Sequence, residues 1–579
     1  MSYLGVESSV TGRRWLGPSS EQQRLAEAME QQTGLPRAVC LTLVKRNVTP
    51  EDSADYLTPT LKALLPDPRS LKDMETAAAR FLAAVDAREK IAIFADYDVD
   101  GGCSAALLID WLRQMGREAT LYVPDRIDEG YGPNEPAMRS LAQAHDLIIC
   151  VDCGTLSHDP VAAAKGADVV VLDHHLGGET LPPALAVVNP NRQDESGDLA
   201  HLCAAAVVFL MLVEAGRQLR EAGGKGPDLM RMLDLVALAT VADVAPLTGV
   251  NRAFVRQGLR VMTARDRPGL AALADVTNLE KPPSGQTLGF VFGPRVNSGG
   301  RIGQADLGAR LLSTADPAEA LSLAQKLDAL NAERRSIEDH VRLAASEQAE
   351  QRGLKAPLVW AAGDGWHPGV VGIVAARLKE SANRPSVVIG FDGDEGKGSG
   401  RSVSGIDLGH AIQRLSSEGL LLKGGGHKMA AGLTVTRDQL DAAMARLSQL
   451  LAQQGADQLG AADLKLDGVL MPGAASVELV EQLENAGPFG ASSPAPRFAF
   501  PEMALSYTRA VGQSHLKFAF SDGTGPRLEG IAFGAFDTGL GQILSNHNGA
   551  RFNLAGRLEL NSWGGRTSVQ LRLEDAAPA

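Results

Sequence analysis

Acidic and imidazole side chains are concentrated in four short segments of this chain. The segments are DYDVDG (Asp96, Asp98, Asp100), VDCG (Asp152), LDHH (Asp173, His174, His175) and ATVADV (Asp243). Carboxylates together with some imidazole are ligands that suit Mn²⁺ or Mg²⁺, and several carboxylates can hold two such ions a few ångströms apart. The residue types therefore predict a site for Mn²⁺ or Mg²⁺ with the capacity for two ions.

The spacing within DYDVDG supports a metal site. Residues two apart in an extended chain point the same way, so Asp96, Asp98 and Asp100 could face one pocket. Three like charges that close are costly without a cation between them. Gly101 and Gly102 then permit a tight turn into a helix. One isolated segment of this kind is more often a solvated loop, whereas four such segments favour a metal site.

The first three segments each follow an apolar run, namely IAIFA, DLIICV and ADVVVL. Such runs are typical of strands buried on both faces of a parallel sheet, and ligands collect at the carboxyl ends of those strands. Strands alternating with helices predict a doubly wound α/β domain. We place these strands at 91–96, 119–123, 146–152, 168–173 and 186–189.

The ordered set of motifs resembles the DHH phosphoesterase superfamily. DYDVDG, VDCG, DHH and ATVAD carry that resemblance, and GGGHKMAAG (Gly424 to Gly432) looks like the DHH-associated domain. Further segments are similar to the bacterial single-strand-specific 5′→3′ exonucleases of this superfamily. They are PDRIDEGYG (Pro124 to Gly132), GPRVNSGGRIG (Gly293 to Gly303), GWHPGVVGIVAARL (Gly365 to Leu378) and GKGSGRSVSG (Gly396 to Gly405).

The resemblance implies hydrolysis of a phosphodiester bond at two metal ions. It implies that Asp98 and Asp152 bind the first ion, that Asp100, Asp152, His174 and Asp243 bind the second, and that Asp152 bridges them. Asp96 is then either a further ligand or a hydrogen-bond acceptor for one of the ligands. His175 lies by the scissile phosphate, and Asp173 orients an imidazole. Phe94 stands where some relatives have a histidine, so we expect weaker binding of the first ion.

The resemblance also implies a pocket for the 5′ phosphate, formed by Arg126, Tyr131, Arg301, Ser399 and Arg401. Guanidinium groups match phosphate oxygens, although a lone arginine is usually a surface ion-pair partner. In GGGHKMAAG, Gly425 and Gly426 would let the backbone approach a phosphate and His427 would bind it. Taken alone, that motif could equally be a turn into a helix. His367 has either a binding or a structural role.

The fold class we expect is α/β, with two α/β lobes joined by a long helix and a C-terminal OB-like β-barrel. Residues 1–70 form a helical extension packed on the next domain, and 71–315 form the DHH domain. Residues 316–353 form one connecting helix, for which a coiled-coil dimer is the alternative. Residues 354–455 form the DHH-associated domain. Residues 462–579 form the barrel, in which most phenylalanines fill the core and Trp563, in a loop, stacks on a base.

Composition sets further limits. The chain of 579 residues is too long for one core, and no apolar run is long enough to cross a membrane. Five sparse cysteines predict reduced, buried thiols, and we expect a cytoplasmic protein. The net charge of −13 would not by itself suggest DNA binding.

The function we expect is a metal-dependent 5′→3′ exonuclease of single-stranded DNA that acts in repair and recombination. One alternative is a phosphodiesterase of short oligonucleotides or cyclic dinucleotides. Another is an inactive replication scaffold, which the intact acidic segments disfavour. The expected partners are single-stranded DNA and either a single-strand-binding protein or a helicase, and we expect a monomer.

Overall fold

The computed structural model describes residues 2–125, 129–460, 462–563 and 565–579, without the side chain of Trp563. The chain separates into two compact units. The first unit comprises Met1–Gly293, Gly308–Leu321 and Asp463–Ala579, and the second comprises Pro294–Leu307 and Ser322–Ala462. No helix in the described part of the chain is both long and apolar enough to span a membrane.

The N-terminal part of the first unit is mostly helical. Its elements are β1 (Trp15–Leu16), α1 (Ser20–Thr33), α2 (Arg37–Val44), α3 (Ser53–Leu57) and α4 (Leu61–Leu64). Ser19 and Gln22 form a capping box at the start of α1, and Gly34 ends that helix in a left-handed conformation.

A five-stranded sheet follows, with helices around it. The elements are α5 (Met74–Ala87), β2 (Ile91–Ala95), α6 (Val99–Gln114), β3 (Ala119–Tyr122), α7 (Glu135–Ala144), β4 (Leu147–Val151), α8 (His158–Ala163), β5 (Asp168–Leu172), β6 (Ala186–Val188), α9 (Ala204–Glu221), α10 (Leu233–Ala242), α11 (Gly249–Thr263), α12 (Pro268–Val276), a π-helical turn (Thr287–Phe292), α13 (Gly293–Ile302) and α14 (Leu307–Ser313). The strand order is β3-β2-β4-β5-β6, with every pair parallel. Each strand lies within one residue of its predicted bounds, because the apolar runs are buried on both faces.

A long helix, α15 (Pro317–Arg352), occupies the predicted helical segment. Beyond it come β7 (Val359–Asp364), α16 (Pro368–Ala382), β8 (Ser386–Asp392), β9 (Glu395–Arg401), α17 (Leu408–Ser417), β10 (Lys423–His427), β11 (Ala430–Thr436) and α18 (Leu440–Gln453). The sheet order is β10-β11-β9-β8-β7. The GGGH segment is therefore an edge strand paired with β11, and the alternative of a turn into a helix is wrong.

The C-terminal region is a closed barrel. Its elements are β12 (Leu464–Lys465), β13 (Gly468–Val469), α19 (Val477–Asn485), β14 (Phe498–Val511), β15 (His515–Ser521), β16 (Leu528–Ala532), α20 (Gly539–Ser545), β17 (Arg551–Trp563) and β18 (Arg566–Pro578). Strands β14, β15, β16, β18 and β17 pair in that order, and β17 pairs back with β14. Phe498, Phe500, Phe518 and Phe520 are buried in its core, as predicted for most of its phenylalanines. The α/β class with an OB-like barrel is confirmed.

The N-terminal extension packs against the barrel, a contact that the sequence analysis did not predict. Val39 and Leu43 share one apolar core with Phe498 and Phe518 of the barrel. Strand β1 also pairs with β12, ahead of the barrel. The later part of the extension contacts the DHH region: the carbonyl oxygens of Tyr56 and Leu57 accept hydrogen bonds from Arg252 and Arg256, and Arg69 donates to Glu214. The sequence pattern predicted a helical extension but not this partner, which lies more than 400 residues away.

Candidate active site

The parallel sheet brings three of the four acidic segments to one edge. Strands β2, β4 and β5 are neighbours, and Asp96, Asp152 and Asp173 directly follow their carboxyl ends. Asp243, from the fourth segment, follows α10. The adjacency expected for parallel strands is therefore present.

The first acidic segment turns sharply into α6. Asp98 is the N-cap residue, and its Oδ1 accepts hydrogen bonds from the N–H groups of Asp100 (2.8 Å) and Gly101 (3.1 Å). A Cβ on Gly101 would lie 2.4 Å from the carbonyl oxygen of Asp96, so this turn requires glycine. Asp100 is consequently helical, and the expectation of three carboxylates aligned on an extended chain is wrong.

The three carboxylates instead divide between two groups. Asp96 and Asp98 join Asp152, and Asp100 joins His174 and Asp243; in each group the candidate ligand atoms lie within 4.8 Å of one another. Asp152 also forms a third such group with His174 and His175. Asp152 therefore belongs to the group of Asp96 and Asp98 and also adjoins His174 of the other group.

Asp100 is held by a helix that the sequence does not associate with it. Its carboxylate accepts hydrogen bonds from the N–H groups of Ala204 (2.7 Å) and Ala205 (2.8 Å) at the start of α9. The residue before that helix, Cys203, provides no side-chain cap. The buried carboxylate of Asp100 therefore satisfies these N–H groups. The sequence signal that could have predicted this contact is the start of α9, which has no polar cap residue of its own.

Asp152 and His174 form the centre of the cluster. Nε2 of His174 lies 3.3 Å from Oδ1 of Asp152, 3.7 Å from Oδ2 of Asp100 and 3.8 Å from Oδ2 of Asp243. Asp152 has a left-handed backbone with a φ of 60°. Its Oδ1 is buried and accepts no hydrogen bond from the described residues.

These residues fit a divalent cation. Burial, together with repulsion from the other acids, raises the pKa of Asp100 and Asp152 and raises that of Asp243 to about 8. A bound cation would remove this cost, because it stabilises the ionised carboxylates. Hard oxygen ligands with one or two imidazoles match Mn²⁺ or Mg²⁺. Phe94 supplies no ligand, since it is buried and stacks on Tyr122 with ring centroids 5.2 Å apart.

His175 lies beside the cluster and is oriented by Asp173. Nδ1 of His175 is 2.8 Å from Oδ1 of Asp173. Burial lowers the pKa of His175, but the hydrogen bond and charge of Asp173 outweigh it and raise that pKa to about 9. Burial opposes ionisation of Asp173, yet hydrogen bonds from His175 and Thr155 hold its pKa well below the usual range. The pair therefore favours a protonated imidazole.

Tyr131 also contacts this histidine. Its Oη lies 3.1 Å from Nδ1 of His175 and donates to the carbonyl oxygen of Asp152 at 3.1 Å. Burial, with the charges of Asp173 and Asp152, raises the pKa of Tyr131, so the phenol stays protonated. Tyr131 thus lies at the cluster itself.

Two asparagines after β6 were missed by the sequence reasoning. Nδ2 of Asn189 donates to the carbonyl oxygen of His175 (2.8 Å) and to Oγ1 of Thr155 (2.8 Å). Nδ2 of Asn191 donates to the carbonyl oxygen of His174 (2.6 Å). These bonds fix the backbone of the DHH segment. The sequence signal that could have identified them is the pair of asparagines in VVNPN, directly after a predicted strand.

A second cluster of predicted residues lies in the second unit. Arg401, Ala430 and His427 are cross-strand neighbours on β9, β11 and β10. Nη1 of Arg401 donates to Oγ of Ser399 at 2.8 Å, and Nη1 of Arg301 donates to the carbonyl oxygen of Gly369 at 3.1 Å.

The helix α16 contacts both arginines of that cluster. A Cβ on Gly372 would lie 3.0 Å from Nη2 of Arg401 and 3.0 Å from Oγ of Ser399, and one on Gly369 would lie 2.5 Å from the carbonyl oxygen of Arg301. The N-terminal turns of α16 therefore lie against Arg301, Ser399 and Arg401.

The remaining predicted residues have varied placements. Gly425 and Gly426 lie in β10, and no other heavy atom lies within 4 Å of the Cβ position of Gly425 in the described chain. His367 caps α16 by accepting from the N–H of Gly369, which is a structural role. Arg126 and the side chain of Trp563 lie outside the described residues. Trp563 is the last residue of β17, so the expectation that it lies in a loop is wrong.

Three family models match consecutive parts of the chain. The DHH family N-terminal domain matches residues 90–240, the DHHA1 domain matches 355–453, and the RecJ OB domain matches 466–575.

Curated relatives match over most of their length. The single-stranded-DNA-specific exonuclease RecJ of Dickeya dadantii is 39% identical over 90% of this chain and 92% of its own. The protein of the same name from Escherichia coli is 36% identical over 91% of this chain and 94% of its own. The structure of RecJ from Thermus thermophilus in complex with Mn²⁺ superposes with a TM-score of 0.79, at 29% identity, over 97% of this chain and 79% of that one.

Proposed function

This chain belongs to the RecJ family, is a metal-dependent exonuclease specific for single-stranded DNA, and, we propose, degrades the strand from its 5′ end. The family is shown by the relatives above, and Mn²⁺ or Mg²⁺ is its cofactor. A role in DNA repair and recombination is consistent with this family. The cluster around Asp152 is the observation that supports the chemistry.

We assign the acidic residues and His174 to two metal ions. Asp98, Asp152 and Asp96 would hold one ion, and Asp100, Asp152, His174 and Asp243 would hold the other. When bound, such ions polarise the phosphate and make water a stronger nucleophile near neutral pH. The buried, unbonded Oδ1 of Asp152 is placed to bind a cation.

His175 acts on the phosphate side of the cluster. Its side chain is partly exposed, and the hydrogen bond and charge of Asp173 raise its pKa. A protonated imidazole there donates a hydrogen bond to a non-bridging oxygen or a proton to the leaving oxygen. Asn189 and Thr155 act through Asp173 and the DHH backbone and are positioning residues.

Recognition of the 5′ end rests on Arg301, Ser399 and Arg401. Two guanidinium groups beside a helix N-terminus favour a terminal phosphate through charge-assisted hydrogen bonds. His427 lies on the same sheet, in the row of Arg401. We include Arg126 and Tyr131 in phosphate binding from the family resemblance, and Tyr131 also hydrogen-bonds beside His175.

Polarity and substrate size are tested together. Long single strands labelled at the 5′ or the 3′ end are incubated with Mn²⁺, beside a dinucleotide and a cyclic dinucleotide. We expect early release of the 5′ label and much slower cleavage of both small substrates. Early release of the 3′ label would contradict the polarity, and preference for a dinucleotide would favour the alternative phosphodiesterase.

The strand-end pocket is tested by the double variant Arg301→Ala, Arg401→Ala. We expect the preference for a 5′-phosphorylated over a 5′-hydroxyl strand to weaken, because each charge-assisted bond that is removed is worth about 1.5–3 kcal/mol. Mn²⁺ affinity should not change. Arg377→Ala, an exposed arginine on α16, is the control. If the wild type shows no preference for the phosphate, the pocket assignment is wrong.

A further inference from the structure

Four exposed apolar side chains lie on segments that carry the metal cluster or pack against it, and they take no part in the chemistry described above. They are Leu156 (60% exposed), Leu176 (69%), Val244 (69%) and Phe290 (72%), and we call them the apolar rim. Among the large hydrophobic residues that the structure describes, four of the five most exposed belong to this rim. Their concentration beside one polar site indicates a binding role.

The chain itself places three of these residues at the cluster. Leu176 follows His175 and Val244 follows Asp243. Leu156 follows Thr155, whose hydroxyl donates to Asp173 at 2.7 Å. Leu156, Leu176 and Val244 are therefore exposed side chains on the segments that carry the cluster.

Val244 occupies a strained backbone position. Its N–H donates to the carbonyl oxygen of Val241 (3.2 Å), and the N–H of Ala245 donates to that of Thr240 (3.1 Å). This arrangement ends a helix with a left-handed residue, usually glycine, yet Val244 has a φ of 59°. A β-branched residue in that conformation is costly, and such strain tends to occur at functional sites.

Phe290 is presented by the π-helical turn Thr287–Phe292. A Cβ on Gly289 would lie 3.4 Å from Cγ1 of Val241, and one on Gly293 would lie 3.3 Å from Cβ of Ala242. The turn therefore packs on the residues that immediately precede Asp243. π-Helical turns are rare and often occur at functional sites.

We propose that the apolar rim receives the unpaired nucleobases beside the bond being cut and thereby selects single strands. This inference rests on the proposed function. Apolar and aromatic surfaces bind base faces whatever the sequence, because every base has a π-face. In a duplex those faces are stacked within the helix, and exposing them requires unpairing.

The test removes the bases by using abasic substrates and, separately, removes two rim side chains by substitution. The substrates are 5′-phosphorylated single strands with either ordinary or abasic residues at the 5′-terminal positions. For the wild type, we expect kcat/KM to fall about tenfold on the abasic strand. The double variant Val244→Gly, Phe290→Ala should lose about tenfold on the ordinary strand and little more on the abasic one. The exposed Leu343→Ala on α15 should behave as wild type.

A second measurement separates this role from a structural one. Val244→Gly should melt at the same or a higher temperature than the wild type and bind Mn²⁺ equally well, because glycine relieves the strain. Equal digestion of ordinary strands by wild type and double variant would overturn the inference and make the rim a surface for another protein. Equal proportional losses on both substrates would also overturn it. If the wild type itself fails on ordinary strands, the proposed function is what fails.

Discussion

At the scale of single residues, Asp152 combines a structural cost with a functional role. Burial and the neighbouring carboxylates raise its pKa, so its ionised form destabilises the metal-free fold. Asp152→Asn keeps the shape, and asparagine tolerates the left-handed backbone. We expect a metal-free melting temperature that is unchanged or higher, no further rise with Mn²⁺, and a loss of hydrolysis greater than about 100-fold.

Calorimetry with and without Mn²⁺, together with digestion of single strands, checks this expectation. The matched control is Asp146→Asn, immediately before the opposite end of β4, where the carboxylate accepts a hydrogen bond from the N–H of Lys90. Retention of wild-type turnover by the Asp152 variant would contradict the bridging role.

Asp173 provides a second prediction at this scale, through the pKa of His175. In the wild type that pKa is raised to about 9. In Asp173→Asn the opposing charge is gone while burial still disfavours the cation, so we expect the pKa to fall toward or below its usual 6.5. His175 would then lose its proton at neutral pH.

NMR titration of labelled imidazoles in the metal-free protein measures this shift, and His175→Gln assigns the signal. Asp168→Asn, at the start of the same strand, is the control, since its carboxylate pairs with Arg80. A His175 pKa unchanged by Asp173→Asn would show that another group sustains the protonated imidazole.

At the scale of elements, what could be predicted depended on the range of the interaction. The strands before Asp96, Asp152 and Asp173 were predictable because burial on both faces leaves a local apolar run. The division of the DYDVDG carboxylates between two groups could not be predicted, because it depends on the helix cap that Asp98 forms. The bonds from α9 to Asp100 join residues more than 100 positions apart, and no local pattern encodes such a contact.

The crossing of α10 and α11 positions Asp243 and gives a prediction at this scale. A Cβ on Gly258 would lie 2.2 Å from the carbonyl oxygen of Leu233 and 2.4 Å from Cβ of Ala237. Gly258→Ala must therefore force α10 away from α11. We expect destabilisation of about 1–3 kcal/mol and weaker Mn²⁺ binding, because α10 ends at Asp243.

Thermal unfolding and Mn²⁺ titration measure the two effects of Gly258→Ala. Gly216→Ala on α9 is the control, because its Cβ would meet the flexible end of Arg220 at 3.4 Å. That variant should be neutral or stabilised by up to about 1 kcal/mol. A Gly258→Ala protein with unchanged Mn²⁺ affinity would show that Asp243 is positioned independently of this crossing.

At the scale of the whole molecule, the N-terminal extension and the barrel share one apolar core. Val39 and Leu43 lie in the same apolar core as Phe498 and Phe518. Nε1 of Trp15 donates to the buried Oδ2 of Asp575 at 2.9 Å. Deleting residues 462–579 would therefore expose the core side of the extension. The contribution of the barrel to DNA binding has to be measured with surface variants instead.

The outer face of the barrel offers such variants. Arg509 on β14 lies directly opposite Lys517 on β15, and the exposed Tyr507 lies two residues before Arg509. A basic pair beside an exposed aromatic suits a single strand that runs over the barrel. The ion pair of Lys517 with Glu529, at 3.0 Å, is partly exposed and contributes little to stability.

The double variant Arg509→Ala, Lys517→Ala should weaken binding to long single strands while leaving the cleavage of very short ones unchanged. Each side chain that no longer neutralises a phosphate should reduce the slope of log affinity against log salt concentration by about 0.7, so a reduction of up to about 1.4 is expected for the pair. The control removes the same charge at the exposed Arg414 and the partly exposed Arg446, which pair with Glu418. Melting temperatures should match the wild type in both variants, because all four side chains are at the surface. If the salt slope of the barrel variant equals that of the control, the strand does not cross this face. If cleavage of short strands falls as well, the two basic residues affect catalysis itself and not only the binding of long strands by the barrel.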